Sequence, residues 1–151
     1  MFLKESDLFK GLSQQFINEI GNIMVEESYN KGDFVIKEGA PAERFFILQK
    51  GEVRLSVGEK GQISLMICNW GEAFGWSSLV DRSTYTSSAE CLAPTKLIRI
   101  EKEKLEKIFE KDLASGVIFY KRLAGIIGER LINSYRKLLS AYKEGGPPSY
   151  G

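Results

Sequence analysis

Between residues 71 and 90 the chain reads GEAFGWSSLVDRSTYTSSAE, which joins glycines, a short helical turn and a run of hydroxyl side chains. Backbone amides at the start of a helical turn attract an oxyanion, and serine and threonine hydroxyls add neutral donors. Ser77 and Ser78 stand where the turn would begin, and Thr86, Ser87 and Ser88 follow on the next β-like run. Such a set can cradle a polar ligand. The plainer reading is that Ser77 caps its own turn while the strand hydroxyls face water. One cation is close by, Arg82 beside Asp81. It either reaches into the cradle or is a solvated loop arginine.

Most other chemistry is excluded. The 151 residues contain no histidine, which removes Ser-His-Asp and Cys-His nucleophiles, histidine-bound zinc and histidine-bound haem. Cys68 and Cys91 are the two cysteines, too few for an iron–sulfur cluster within one chain or for a disulfide framework. They read as small strand residues, since a redox role needs exposure and a lowered pKa. No metal site is expected, and no constellation of carboxylate, lysine or tyrosine points to catalysis, so the chain is not read as an enzyme.

Composition fits a soluble globular domain, with 43% hydrophobic and 27% charged residues. A formal net charge of +1 gives no global pull toward nucleic acid or acidic lipid. No apolar run approaches the roughly 18 residues that span a bilayer, and MFLKESDLFKGL lacks a secretory signal pattern. A cytoplasmic location with reduced thiols is expected.

The cradle needs elements to hold it. In GLSQQFINEIGNIM, Ser13 can cap a helix, with Leu12 and Ile17 as a hydrophobic staple. Phe16, Ile17, Ile20, Ile23 and Met24 recur at helical spacing, so N-terminal helices are expected within residues 1–26. The period then falls to two. DFVIKEG, RFFILQKG, EVRLSVGEKGQISLMICNWG and TKLIRI are short β-rich runs parted by glycine turns, and GEKG is a hairpin candidate. Residues 27–101 are therefore expected to form an antiparallel β-roll, in a mainly β fold with flanking helices.

Helices return over 102–143. EKEKLEKIFEKD places Leu105, Ile108 and Phe109 on one face, and Asp112 can cap a second, longer helix of roughly 45 Å. Leu113, Val117, Tyr120, Ala124, Ile127, Leu131 and Leu138 form one stripe at spacings of three and four, with Ser134 filling a place. Phe119, Leu123 and Ile126 form a second. One stripe can pack on the roll while the other meets a partner helix, so a homodimer through residues 112–142 is expected. The alternative is one amphipathic helix lying wholly on its own domain. The tail EGGPPSYG, residues 144–151, reads as a linker.

The order of helix, β-roll and long helix resembles the cyclic-nucleotide-binding domain of catabolite-activator and FNR-type regulators. The resemblance runs over about residues 5–142. It is carried by DLFKGLS, by NKGDFVIKEGAPAERFFILQKGEVRLSV with Gly32, Gly39 and Gly51, and by GEAFGW. In binding members, the glycine after the phenylalanine precedes a glutamate that holds the ribose, and an Arg-Ser/Thr-Ala stretch supplies an arginine to the cyclic phosphate.

Here Phe74 and Gly75 match, but Trp76 stands at the glutamate position and Tyr85 at the arginine position. Losing one partner of a desolvated charged contact costs about 2–5 kcal/mol. Cyclic AMP or GMP is therefore possible but disfavoured in the family's usual mode. Trp76 either stacks on a planar ligand or fills the space of one. Ser134 and Tyr135 fall near where the resemblance puts ligand-closing residues on the long helix, and they read equally as helix-surface residues.

The resemblance implies a regulatory sensor domain, dimeric, that binds a small ligand other than cyclic AMP or GMP in the usual mode. Coupling would run through residues 101–115. The alternative is a degenerate domain with a filled pocket, serving as a dimerisation or protein-docking module. Nine residues follow Tyr142, too few for a helix-turn-helix domain. Lys121, Arg122, Arg130, Arg136 and Lys137 read as a solvated face, so no DNA binding by this chain is expected. No membrane partner is expected either.

Overall fold

The computed structural model describes residues 7–145 except 62 and 68. The readings of Cys68 and of residues 1–6 and 146–151 lie outside the described residues.

Ser13 Oγ accepts the amide of Phe16 at 3.1 Å and starts helix α1, Gln14–Ile23, which buries Phe16, Ile17 and Ile20. The roll begins earlier than expected, because Met24 opens strand β1 (Met24–Tyr29) rather than closing the helix. Met24 keeps the helical apolar spacing, but residues 24–29 pair in register with β8, from Met24↔Ile100 to Tyr29↔Thr95. Tertiary pairing overrides the local pattern here.

The remaining strands are β2 (Phe34–Ile36), β3 (Arg44–Lys50), β4 (Val53–Val57), β5 (Ile63–Ile67), β6 (Ala73–Phe74), β7 (Ser88–Cys91) and β8 (Thr95–Glu101). They form two four-stranded sheets, ordered β1-β8-β3-β6 and β2-β7-β4-β5, in which the assigned pairs are antiparallel. This is the expected β-roll with flanking helices.

Strand β3 explains why FFIL is continuously apolar. Phe45 and Ile47 pack toward the helices, while Phe46 and Leu48 pack inside the roll, so both faces are buried. At Gly51, φ is +109°, and a Cβ there would lie 2.7 Å from the Pro94 carbonyl oxygen. Only glycine meets both demands.

Helix α2 spans Lys102–Lys111 and α3 spans Leu113–Gly145. Asp112 caps α3, its Oδ1 accepting the Ser115 amide at 3.1 Å, and its Oδ2 accepts the Ser13 hydroxyl at 3.2 Å. Hydrogen bonds from Ser115 and then Ser13 hold the Asp112 carboxyl below its ordinary range. The caps of α1 and α3 are thus tied together.

The two stripes of α3 differ sharply. Phe119 and Leu123 are buried, with Phe119 against the rings of Phe9, Phe45 and Phe109. Leu113, Val117 and Leu138 stay about 70% exposed. Every residue from 131 to 144 is exposed, although the 33-residue helix runs on for about 50 Å. Residues 144–145, expected as linker, are its last residues. Among the described residues, no helix is long and apolar enough to cross a membrane.

Candidate ligand site

The cradle residues meet at the junction of β6, a 3-10 turn over Trp76–Leu79, and the segment entering β7. Phe74 is buried and stacked on Phe46, ring centroids 5.3 Å apart. Gly75 has φ +79°, and a Cβ there would sit 3.1 Å from the Arg44 carbonyl oxygen. Ser77 and Ser78 are buried. Ser78 Oγ donates to the Gly75 carbonyl at 2.8 Å, and Ser77 Oγ lies 3.4 Å from Thr86 Oγ1.

Tyr85 decides the character of the site. It is 8% exposed and packs inside the roll with Phe46 and Phe74. Its hydroxyl donates to the Arg44 carbonyl at 2.6 Å and accepts the Arg44 amide at 3.0 Å. Burial pushes its phenol above the ordinary value, against the opposing hydrogen bond from Arg44. The Tyr85 hydroxyl therefore both donates to and accepts from this chain's own backbone.

The other candidates scatter. Trp76 is half-buried and packs against the helical core rather than inside the roll. Arg82 and Thr86 are exposed, and Ser87 is half-buried. Ser88 Oγ accepts the Glu38 amide at 2.9 Å. On α3, Ser134 is exposed and donates back to the Arg130 carbonyl at 2.9 Å, while Tyr135 is 60% exposed.

Two features escaped the sequence. The first is an ion chain on the inner face of one sheet. Glu27 Oε1 meets Arg99 at 2.7 Å, and Glu101 Oε1 meets Arg99 at 3.4 Å and Arg44 at 3.1 Å. Tyr29 donates to Glu27. Leu97, Arg99 and Glu101 share a face only by strand alternation, a signal readable once the register of β8 is known.

The second is Arg130. Read as part of a solvated face, it is instead half-buried, as is Arg122. Both fall at helical spacing from the buried Phe119 and Leu123, which turns them toward the domain. Arg130 Nη2 donates to the Ala73 carbonyl. Desolvation holds the guanidinium below its ordinary pKa, with Glu72 opposing. Beside it lies a cleft of about 390 Å³ between α3 and the β5–β6 turn, lined in part by Leu65, Trp70, Ile126 and Asn133. Glu72 Oε1 accepts the Asn69 amide across that turn at 2.7 Å.

A sequence model of the family "Cyclic nucleotide-binding domain" matches residues 26–112. The chain belongs to this family. It is 24% identical over 148 residues to the cGMP-dependent protein kinase egl-4 of Caenorhabditis elegans, covering 90% of this chain and 19% of that protein. It is 33% identical over 82 residues to human cGMP-dependent protein kinase 2, covering 52% of this chain and 11% of that protein. The chain thus spans about a fifth or less of these relatives.

Among solved structures, a Geobacter metallireducens protein described as cyclic nucleotide-binding superposes with TM-score 0.76 at 27% identity, covering 85% of this chain and 95% of that one. The Thermus thermophilus catabolite activator protein shares the fold, with TM-score 0.72 at 22% identity, covering 92% of this chain and 65% of that one. Membership of the cyclic-nucleotide-binding family, with its fold, supports a regulatory or sensor role.

Proposed function

We propose that this chain is a non-enzymatic, cytoplasmic regulatory module that does not hold cyclic AMP or GMP in the family's usual mode. The observation carrying this reading is that Tyr85, which the resemblance puts at the position of the phosphate-binding arginine, is bonded to the backbone of Arg44. Trp76 supplies no carboxylate for a ribose. A missing desolvated charge partner alone weakens binding by about 2–5 kcal/mol, or roughly 30- to several-thousand-fold.

Two copies associate through α3 in this reading. Leu113, Val117, Leu131 and Leu138 support it, being exposed at the spacing of a helix–helix seam. Sedimentation of the full chain tests it: a dimer is expected, and a monomer for Leu131→Glu/Leu138→Glu. A wild-type chain monomeric at all concentrations removes this part of the reading.

Within the proposal, a sensor takes its ligand outside the usual cradle, and the cleft beside Arg130 favours that version. The alternative is a module with a filled pocket that docks or dimerises without any small ligand, and the buried Tyr85 favours it. Thermal unfolding separates the two when run with a metabolite panel. A ligand at about 100 times its Kd stabilises the folded state by roughly 2.7 kcal/mol. A shift with any metabolite supports the sensor, and its absence throughout supports the module.

A further inference from the structure

We propose that two dimers of this chain join into a tetramer through a second apolar line on α3, one that a two-helix seam leaves in water. This rests on the dimer reading above and goes one assembly step beyond it. Gly128, Leu131, Tyr135, Leu138 and Tyr142 follow at alternating spacings of three and four, the pattern of a two-helix seam. Each leucine of that seam is followed directly by a further aliphatic residue, Ile132 after Leu131 and Leu139 after Leu138. Ile118, Gly125, Ile132 and Leu139 stand seven apart, so they run as one line along the edge of the seam.

Ile118 is 38% exposed, Ile132 48% and Leu139 52%. In a two-stranded coil this edge position commonly carries a charge that pairs across the seam. An apolar edge beside an apolar seam instead makes a face of about three positions in seven, which suits a bundle of more than two helices.

The helix surface beside Ile132 is hollow. Gly125 and Gly128 line an open groove of about 540 Å³ together with Arg122, Ile126, Glu129 and Ile132. A Cβ at either glycine would meet nothing within 4 Å, although glycine weakens a helix interior. No described residue of this chain calls for glycine there. What the two provide is room for a side chain from another helix.

The filling for that groove is on the same helix. An antiparallel second copy brings its exposed Leu139 over Gly125, Gly128 and Ile132, and offers its own groove to the first copy's Leu139. The contact is self-complementary, as a two-fold axis requires. It uses a side of α3 that does not carry Phe119 and Leu123, the buried residues that hold the helix to the roll. The charges flanking the line are Arg122, Glu129, Arg136 and Lys143, three cations against one anion. Association should therefore strengthen as salt screens their repulsion.

The test is sedimentation equilibrium of the full chain from low to high micromolar concentration, at low and high salt. A dimer is expected at the lowest concentrations, with the mass doubling as concentration rises and doubling sooner at high salt. Ile132→Gln/Leu139→Gln and, separately, Gly125→Gln alter exposed positions and should keep the helical circular dichroism. Each should remain a dimer over the whole range.

A wild-type dimer at every concentration, a tetramer that survives in either variant, or a variant that falls to monomer overturns the proposal and leaves the dimer standing. A wild-type monomer throughout overturns both. A dimer that binds phosphatidylserine vesicles through Ile132 and Leu139, more weakly as salt rises, overturns the proposal by giving the line to a membrane surface.

Discussion

The inside of the roll and the far half of the long helix are built on opposite terms. Around Tyr85 the observed polar contacts close within the chain: the phenol on Arg44, Ser78 on Gly75, and Ser77 beside Thr86. Along α3 from Leu131 onward every residue to Glu144 is exposed, including large apolar ones. At Tyr85 and Ser78 a nucleotide would gain little, because a new contact there must first break an internal one. An exposed apolar seam has the opposite balance, since covering it removes apolar surface from water.

The strongest test of this contrast sits where the two regions join. Phe119 is 0% exposed and contacts the rings of Phe9, of Phe45 on β3 and of Phe109 on α2. Phe119→Ala should destabilise the domain by about 3–5 kcal/mol in denaturant unfolding. A loss below about 1 kcal/mol would mean that α3 is not anchored where its inner stripe lies.

A smaller loss is expected inside the cradle. Tyr85→Phe removes the hydroxyl that serves both backbone groups of Arg44 and should cost about 1–3 kcal/mol. A neutral result would mean that water replaces the phenol easily and that the cradle is less closed than its hydrogen bonds indicate.

The helix seam should respond in assembly rather than in fold. For Leu131→Glu/Leu138→Glu, unfolding should lose its dependence on protein concentration while the monomer's stability changes by about 0.5 kcal/mol or less per site. A concentration-independent wild type would remove the contrast at its exposed end.

Alkaline pH gives the mildest probe. Burial raises the phenol pKa of Tyr29, Tyr85 and Tyr120, with Glu27 adding at Tyr29 and Glu106 at Tyr120. Unfolded tyrosine ionises near pH 10, so below about pH 10 the unfolded and folded chains hold the same protons at these groups. Above it the unfolded chain releases them first, and stability falls as pH rises. Phenolate absorbance in the folded protein should lag that of the unfolded chain. Coincident titrations would contradict the desolvation of these phenols.

Local and periodic features were legible in the sequence. The Ser13 and Asp112 caps, the alternation in β4 and β5 and the two stripes of α3 all follow from contacts between near neighbours or from one helix face. The start of β1 was not, since Met24 continues the helical spacing and only its pairing with Ile100 makes it a strand. The candidate site was legible as a place but not as an arrangement. Tyr85 meets Arg44 across 41 positions, and Arg130 meets Ala73 across 57. No local pattern encodes such pairings, and a guanidinium turned inward looks the same in sequence as one in water. Trp76 shows the same limit, packing on the helical core when its position suggested the pocket.

The most direct measurement is calorimetric titration of the full chain with cyclic AMP and cyclic GMP. The account predicts no binding heat for either nucleotide up to about 1 mM, a ceiling equivalent to roughly −4.1 kcal/mol. Saturable binding at micromolar or lower Kd would contradict it, and would mean that Tyr85 leaves Arg44 and that another group, with Arg82 the nearest cation in sequence, meets the phosphate.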